Sequence, residues 1–529
     1  MKKLNNTNNN CTPKQLKLPI EIERIIEISD SVYSFCDIVD SIDLTSYFAD
    51  KKGCKTGRPR YSYTKLLKII LFAFMENGYV SLRELEKMCK TDIRYMWLLD
   101  DMPAPTFATI GNFIRDCLTE KIEDIFLDIN KVIFEKDNVD LSHTYIDGTK
   151  IEANANKYTW VWKKSSIKNR DKTFEKVTQI IEEINKEELA YLGVKIETRH
   201  EYAIEYLEEI IEKYKELLNI DITKFVQGKG KRKTNYQRRY EKLEEYKEKL
   251  TKYAKHIKIC GEKRNSYSKT DKDATFMRIK RDYMGNDQLL PAYNMQVAVC
   301  DEYIATLDVK QYAADVDCFI PLMEKFNKQY GKYPKYPVAD AGYGSFNNYI
   351  YCEQHRMEKF MKFTMFEKET KDSKYRENPY RAVNFSRDES GNLICPNGRK
   401  FKFKYERHIT GNNYGRTEEI YECENCENCE YKKECCPRAN DNRTIRINRE
   451  LTSIHEEVLK NLCSIQGALL CMNRSIQAEG TYGIIKWNKS YKRLRRKGLD
   501  NVALEFTLIA SGFNLYKYHN KINRMKKIA

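Results

Sequence analysis

Three acidic residues stand in contexts where carboxylates could hold a cation. Asp147 follows the apolar run Thr144, Tyr145, Ile146 in "YIDGTK". Asp340 follows Tyr336 to Ala339 in "KYPVADAGYGS". Glu479 lies in the helical stretch "AEGTYGIIK". Both aspartates read as strand ends, although aspartate is depleted in strands. Mg²⁺ or Mn²⁺ takes hard oxygen ligands and keeps waters or substrate phosphates on its remaining positions. Two such ions about 3.5–4 Å apart can hold the attacking and leaving oxygens of an in-line phosphoryl displacement. A strand end fixes a carboxylate rigidly, and Gly148 leaves room for a phosphate backbone to approach. The plain alternative is a turn residue, since composition alone does not select three of 77 acidic residues.

The surrounding charge favours a polyanionic partner. The chain has 529 residues and a net charge of +16, which speaks to partners and not to fold. Lys486 stands seven residues after Glu479, on nearly the same helical face, and Lys492, Arg493, Arg495, Arg496 and Lys497 follow. Such cations hold phosphates and offset repulsion from carboxylates. A solvated basic helix is the competing reading.

A second constellation is made of cysteine. Six of the 17 cysteines lie between Cys395 and Cys436: "CPNG" (Cys395) and "YECENCENCEYKKECC" (Cys423, Cys426, Cys429, Cys435, Cys436). Overlapping CxxC steps with further cysteines fit a structural tetrahedral Zn²⁺ site. Cys426, Cys429 and Cys435 lead the candidates, followed by Cys423 or Cys395. An iron–sulfur cluster, a redox pair or free thiols are the rivals. No apolar core of signal-peptide length opens the chain and no window approaches a membrane span, so a reducing cytoplasmic setting is expected.

These side chains need a scaffold, and the periodicity suggests one. Residues 1–20 read as a disordered tail. Residues 21–125 read as a helical, DNA-binding unit: "KLLKIILFAFMENG" stops at Gly78, and Ser81 with Glu84 has capping-box spacing. Phe107, Ile110, Phe113 and Ile114 share one helical face, and Arg58, Arg60, Lys65 and Lys68 flank the unit. Helical stripes recur in the insertion at 165–289 (Phe174, Val177, Ile181, Ile184; Leu207, Ile210, Ile211, Tyr214). From residue 290 the period changes to two strands turning at Asp301 and Glu302, a helix ending at Gly331, and a strand ending on Asp340. Residues 351–464 form a cysteine-rich insertion, and the carboxyl end reads as two helices separated near Gly498. The expected fold is mixed α/β, with a core built from 126–164, 290–350 and 465–529. Trp160 and Trp162 beside Lys163 and Lys164 suit either a DNA grip or packing. No phosphate-loop motif is present, so no nucleotide cofactor is expected.

Four segments, "YIDGTKIEANANKYTWVWKK", "DATFMRIKRDYMGNDQLLPAYNMQVAVCDEYI", "VADAGYGSFNNY" and "AEGTYGIIKWNKSYKRLRRKGLDNVALE", together resemble bacterial insertion-sequence transposases of the aspartate–aspartate–glutamate (DDE) type. The resemblance runs from about Gly57 to Tyr518. It implies a ribonuclease H-like core in which Asp147, Asp340 and Glu479 bind two Mg²⁺ ions. It implies metal-dependent cleavage at the element's ends, strand transfer into target DNA, and a homodimer pairing two DNA ends. Related enzymes carry a tyrosine, an arginine and a lysine around the glutamate. Lys486 matches the lysine. Ser475 stands four before Glu479 where the arginine is expected, with Arg474 five before, and Met472 occupies the tyrosine's place. Two rival functions follow from these departures: a DNA-binding regulator that has lost its chemistry, and a metal nuclease without strand transfer.

Overall fold

The computed structural model describes residues 25–48, 61–100, 102–228, 231–279 and 287–528. The expected amino-terminal tail, Arg58 and Arg60 lie outside them.

The fold is mixed α/β. Its main sheet has strands β1 (His143–Glu152), β4 (Thr275–Arg278), β5 (Leu289–Cys300), β6 (Tyr303–Lys310), β7 (Tyr336–Ala339) and β8 (Phe360–Met361). Two short strands, β2 (Trp160–Trp162) and β3 (Ser266–Ser268), pair separately. β5 pairs antiparallel with β1, β4 and β6, whereas β7 pairs parallel with both β1 and β8. The β5–β6 hairpin turns at Asp301 and Glu302, both at positive φ, as the two-residue loop requires.

One register detail matters for the site. β1 runs unbroken through Asp147 and Gly148, which face Val297 and Gln296 of β5. Asp147 is therefore not a strand-end residue. What ends near it is the parallel partner: β7 pairs only with His143, Thr144 and Tyr145. Beyond Tyr145 one edge of β1 is free of β7, and Asp147 stands beside that fork. Asp340 directly follows β7, so it stands level with Asp147, which lies mid-strand on the adjacent parallel β1.

Helices Ser31–Val39, Tyr63–Asn77, Leu82–Thr91, Ile93–Leu99, Phe107–Phe113 and Ile122–Asp137 precede the sheet. Ser81 caps its helix by accepting from the Glu84 amide at 3.2 Å. Ile110, Phe113 and Ile114 are buried as expected, but Phe107 is exposed beneath Arg83. The carboxyl-terminal helix Leu499–Ile528 packs against β6 and against the amino-terminal helices, so both share one apolar core. At Gly512 that packing is tight: a β-carbon there would stand 2.5 Å from the Phe74 carbonyl carbon.

Helices Lys163–Glu187, Ile204–Leu217 and Asn235–Cys260 form a second core, made of the helical stripes read above. Their packing buries Arg239 against Glu187 and Glu188. A three-stranded antiparallel sheet, Phe401–His408, Thr417–Cys423 and Thr444–Ile447, supports a small third core with Phe385, Leu393 and Cys426. No helix among the described residues is long and apolar enough to cross a membrane.

Candidate active site

The fork between β1 and β7 opens into a cavity of about 520 Å³. Asp147, Asp340 and Glu479 all line it, with Arg474, Lys486 and a fourth acid, Asp315. The three acids named from sequence, separated by more than a hundred residues each, thus share one space. They surround it without meeting at one point: among the described residues no three His, Cys, Asp or Glu side chains form a ready ligand cluster.

Asp147 comes from the middle of β1, with 19% of its side chain exposed. Burial pushes its carboxyl up to about 6; Arg474 opposes that rise, while Asp340 and Glu479 add to it. Asp340 accepts from the Gly342 amide at 2.8 Å, which pins the turn after β7. Glu479 ends a π-helical turn, Ser475–Glu479, inside the helix that starts at Ile465.

That turn brings Arg474 to Glu479 despite their five-residue spacing. In an α-helix, residues five apart point about 140° away from each other. A π turn is one residue wider and brings positions i and i+5 together. Arg474 Nη2 accordingly lies 2.7 Å from Glu479 Oε1, and Arg474 Nη1 lies 3.6 Å from Asp147 Oδ1. A second π turn, Ile484–Asn488, contains Lys486, whose ammonium donates to Thr149 Oγ1 and to the Lys150 carbonyl at 3.2 Å. Burial brings the Lys486 pKa down to about 8 against the pull of Asp147.

Sequence reasoning missed several members of the site. The Tyr482 hydroxyl donates to the Met295 carbonyl at 2.8 Å, tying the Glu479 helix to β5. Gln296, Asn294 and Tyr343 form a buried polar layer on the other face of β1. Gly148 does not leave room for a phosphate: a β-carbon there would stand 2.3 Å from Gln296 Nε2 and 2.8 Å from the Tyr343 hydroxyl. The glycine is needed for that packing. Arg278 and Asp287 also line the cavity.

The other basic candidates are distributed unevenly. Lys492 to Lys497 form a loop, not a helix. Lys492, Arg493, Arg495 and Lys497 are exposed, and Arg493 is also paired with Glu152, its Nε 3.4 Å from that carboxylate. The buried Glu505 accepts from the Arg495 and Arg496 amides at 2.9 and 2.8 Å and from the Tyr491 hydroxyl at 2.6 Å. Lys65 pairs with Asp100 at 2.8 Å and Lys68 with Asp40, so neither is a free phosphate ligand. Trp160 packs edge-on against Phe276.

Of the cysteines, Cys395, Cys423 and Cys426 belong to the small third core, whereas Cys429, Cys435 and Cys436 lie outside it, and no three of them among the described residues form a ready ligand cluster. Cys395 opens a tight turn in which the Gly398 amide donates to its carbonyl at 2.8 Å. Burial raises the Cys423 thiol, and the neighbouring Cys426 and Cys395 raise it further. The Arg443 amide donates to Cys426 Sγ at 3.3 Å, Arg443 Nη1 to Cys435 Sγ at 2.6 Å, and Asn397 to Cys429 Sγ at 3.5 Å.

The sequence matches three family models. Residues 264–452 and 394–519 each match a "Transposase DDE domain", and residues 20–116 match a "Transposase domain (DUF772)". Asp340 lies in the first segment and Glu479 in the second, while Asp147 lies outside all three. No curated protein and no solved structure matches significantly. The chain is a transposase of the DDE class, an enzyme that cuts and transfers DNA. It belongs to the DDE transposases of insertion sequences, and its function is that of a DNA transposase.

Proposed function

We propose that Asp147, Asp340 and Glu479 are the catalytic acids of this transposase, and that the cavity they line is where DNA phosphodiesters are cleaved and joined. The observation that supports this is the gathering of the three acids around one cavity at the β1–β7 fork, where burial, with Asp340 and Glu479 adding to it, lifts the Asp147 carboxyl to about 6. Carboxylates are gathered this way where a cation will offset them. The hard oxygen donor set fits Mg²⁺ or Mn²⁺, and Asp147, Asp340 and Glu479 would hold it. When bound, such ions activate a water or a 3′-hydroxyl and stabilise the leaving oxygen.

The chain's own groups then have distinct tasks. Arg474 holds the Glu479 carboxylate and offsets charge on Asp147. Lys486 stands beside Thr149 to meet a phosphate, and Lys492, Arg495 and Lys497 extend that basic surface. Tyr482 fixes the helix against the sheet. Strand order supports a ribonuclease H-like core: three antiparallel strands, β6, β5 and β1, continue into the parallel β7 and β8. The helices at 165–289 and the cysteine-rich part at 351–464 read as insertions between the acids, and the helices before residue 125 as a DNA-binding unit. Two copies would pair the two DNA ends.

The test uses DNA from both flanks of the element with Mg²⁺ or Mn²⁺. Fixed breaks and joined products are expected, absent in Asp147→Asn, Asp340→Asn and Glu479→Gln. Breaks that survive these substitutions would mean that other carboxylates do the work. Binding without breaks in the unaltered protein would favour a regulator.

The cysteine cluster is read as a structural Zn²⁺ site drawn from Cys395, Cys423, Cys426, Cys429 and Cys435. Amide and guanidinium donors aimed at the sulfurs suit thiolates. One zinc per chain by elemental analysis is expected, with a lowered melting temperature in Cys426→Ser. Metal-free protein of unchanged stability would refute it.

A further inference from the structure

We infer that Asp315 is a fourth acidic residue of the cation site, resting on the reading of the cavity given above. Asp315 lies in the segment between β6 and the helix Phe319–Tyr330 and lines the same cavity as the other three acids.

Alternation along β1 puts Asp147 and Thr149 on one face and Gly148 on the other. Arg474, Glu479 and Lys486 meet the first face. Gln296, the partner of Gly148 in β5, and Asn294, the partner of Lys150, lie on the second. Asp315 belongs to this second face: its Oδ1 accepts from Asn294 Nδ2 at 2.7 Å and from Gln296 Nε2 at 3.1 Å. Gln296 is held in turn by the Tyr343 hydroxyl, from the turn that follows Asp340. The absent side chain of Gly148 gives this layer its space.

The other oxygen of Asp315 lies near the turn that follows Asp340. A β-carbon on Gly342 would stand 3.0 Å from Asp340 Oδ1 and 3.7 Å from Asp315 Oδ2. Both carboxylates thus border the Gly342 turn, and Asp315 forms no ion pair among the described residues. Its two partners are neutral amides, which an asparagine would satisfy equally well. A carboxylate in a cavity already lined by three acids, with no basic side chain paired to it, is unfavourable unless an ion arrives. Asp315 brings a carboxylate to the cavity from the face that Asp147 and Glu479 do not serve, and so allows cation binding before DNA adds its phosphates.

The test is Mn²⁺ binding to the full chain without DNA, followed by electron paramagnetic resonance of the free ion. Asp315→Asn is expected to bind Mn²⁺ at least tenfold more weakly than wild type, as Asp147→Asn does, with the metal-free melting temperature unchanged. Wild-type affinity in Asp315→Asn would overturn the inference and leave the proposed function standing. A wild-type chain that binds no Mn²⁺, or Asp147→Asn binding as wild type, would overturn both. Should Asp315→Asn fail to fold, Asp315→Glu keeps the charge and moves it by one methylene. A threefold or larger shift in its affinity supports the role, and no shift refutes it.

Discussion

Arg474 reaches Glu479 at 2.7 Å across five positions of one helix, a pairing that an α-helix forbids and the Ser475–Glu479 π turn creates. If Arg474 takes the place of the arginine that related enzymes carry four residues before the glutamate, the extra residue in that turn is what lets it do so. Arg474→Ala should slow DNA cleavage about 100-fold, the scale on which a preorganised charge at a reacting centre acts, with DNA affinity falling less than tenfold. Single-turnover cleavage and a binding titration read the two effects separately. Equal losses in both would make Arg474 a DNA ligand only.

Lys486 supplies a pH signature. Burial disfavours its protonated form, so its pKa falls to about 8 and its charge is lost as pH rises through that value. One phosphate contact adds about 0.9 to the slope of log affinity against log salt on duplex DNA. That slope should shrink by about 1 between pH 7 and pH 9 in wild type. In Lys486→Met it should already be smaller at pH 7. A wild-type slope that is the same at both pH values would exclude a phosphate contact by this ammonium.

Asp147 sets the acid limit. Its raised pKa means that a proton competes with a cation as pH falls below about 6. Mn²⁺ affinity should drop about tenfold per pH unit below that point, the scale for competition by one proton. Affinity that holds constant to pH 5 would show that this carboxyl is not a ligand.

Glu505 anchors the basic loop from within. Glu505→Ala strips an acceptor from two backbone amides and the Tyr491 hydroxyl. Leaving such groups unsatisfied costs about 1–3 kcal/mol. Thermal melting should record that loss, and DNA binding should weaken in parallel. Glu505→Gln keeps one acceptor and should fall between. An alanine variant with wild-type stability and affinity would mean that the loop holds itself.

Gly512 lies where the carboxyl-terminal helix packs tightly on Tyr63–Asn77. Gly512→Ala would force a β-carbon onto the backbone at Phe74 and Met75. Overpacking of this kind costs about 1–3 kcal/mol, and a lowered melting temperature is expected. An unchanged one would show that the two helices can part freely.

What the sequence determined by itself was local. The β5–β6 turn, the cap at Ser81, the strand before Asp340 and the apolar helical stripes follow from turn chemistry and periodicity within a few residues. Motif order named the three acids, because family motifs are written along the chain. Tertiary structure decided the rest, since it depends on partners far apart in sequence. It carried β1 through Asp147, because β5 pairs on past the point where β7 stops. It filled the space beside Gly148 with Gln296 and Tyr343, and it neutralised Lys65 and Lys68 with acids from other turns. It brought Arg474 to Glu479 through a π turn, which no spacing rule for α-helices reveals. Asp315 was invisible for the same reason: no motif in "QYAADVDC" marks it, and only the layer beneath β1 brings it to the cavity.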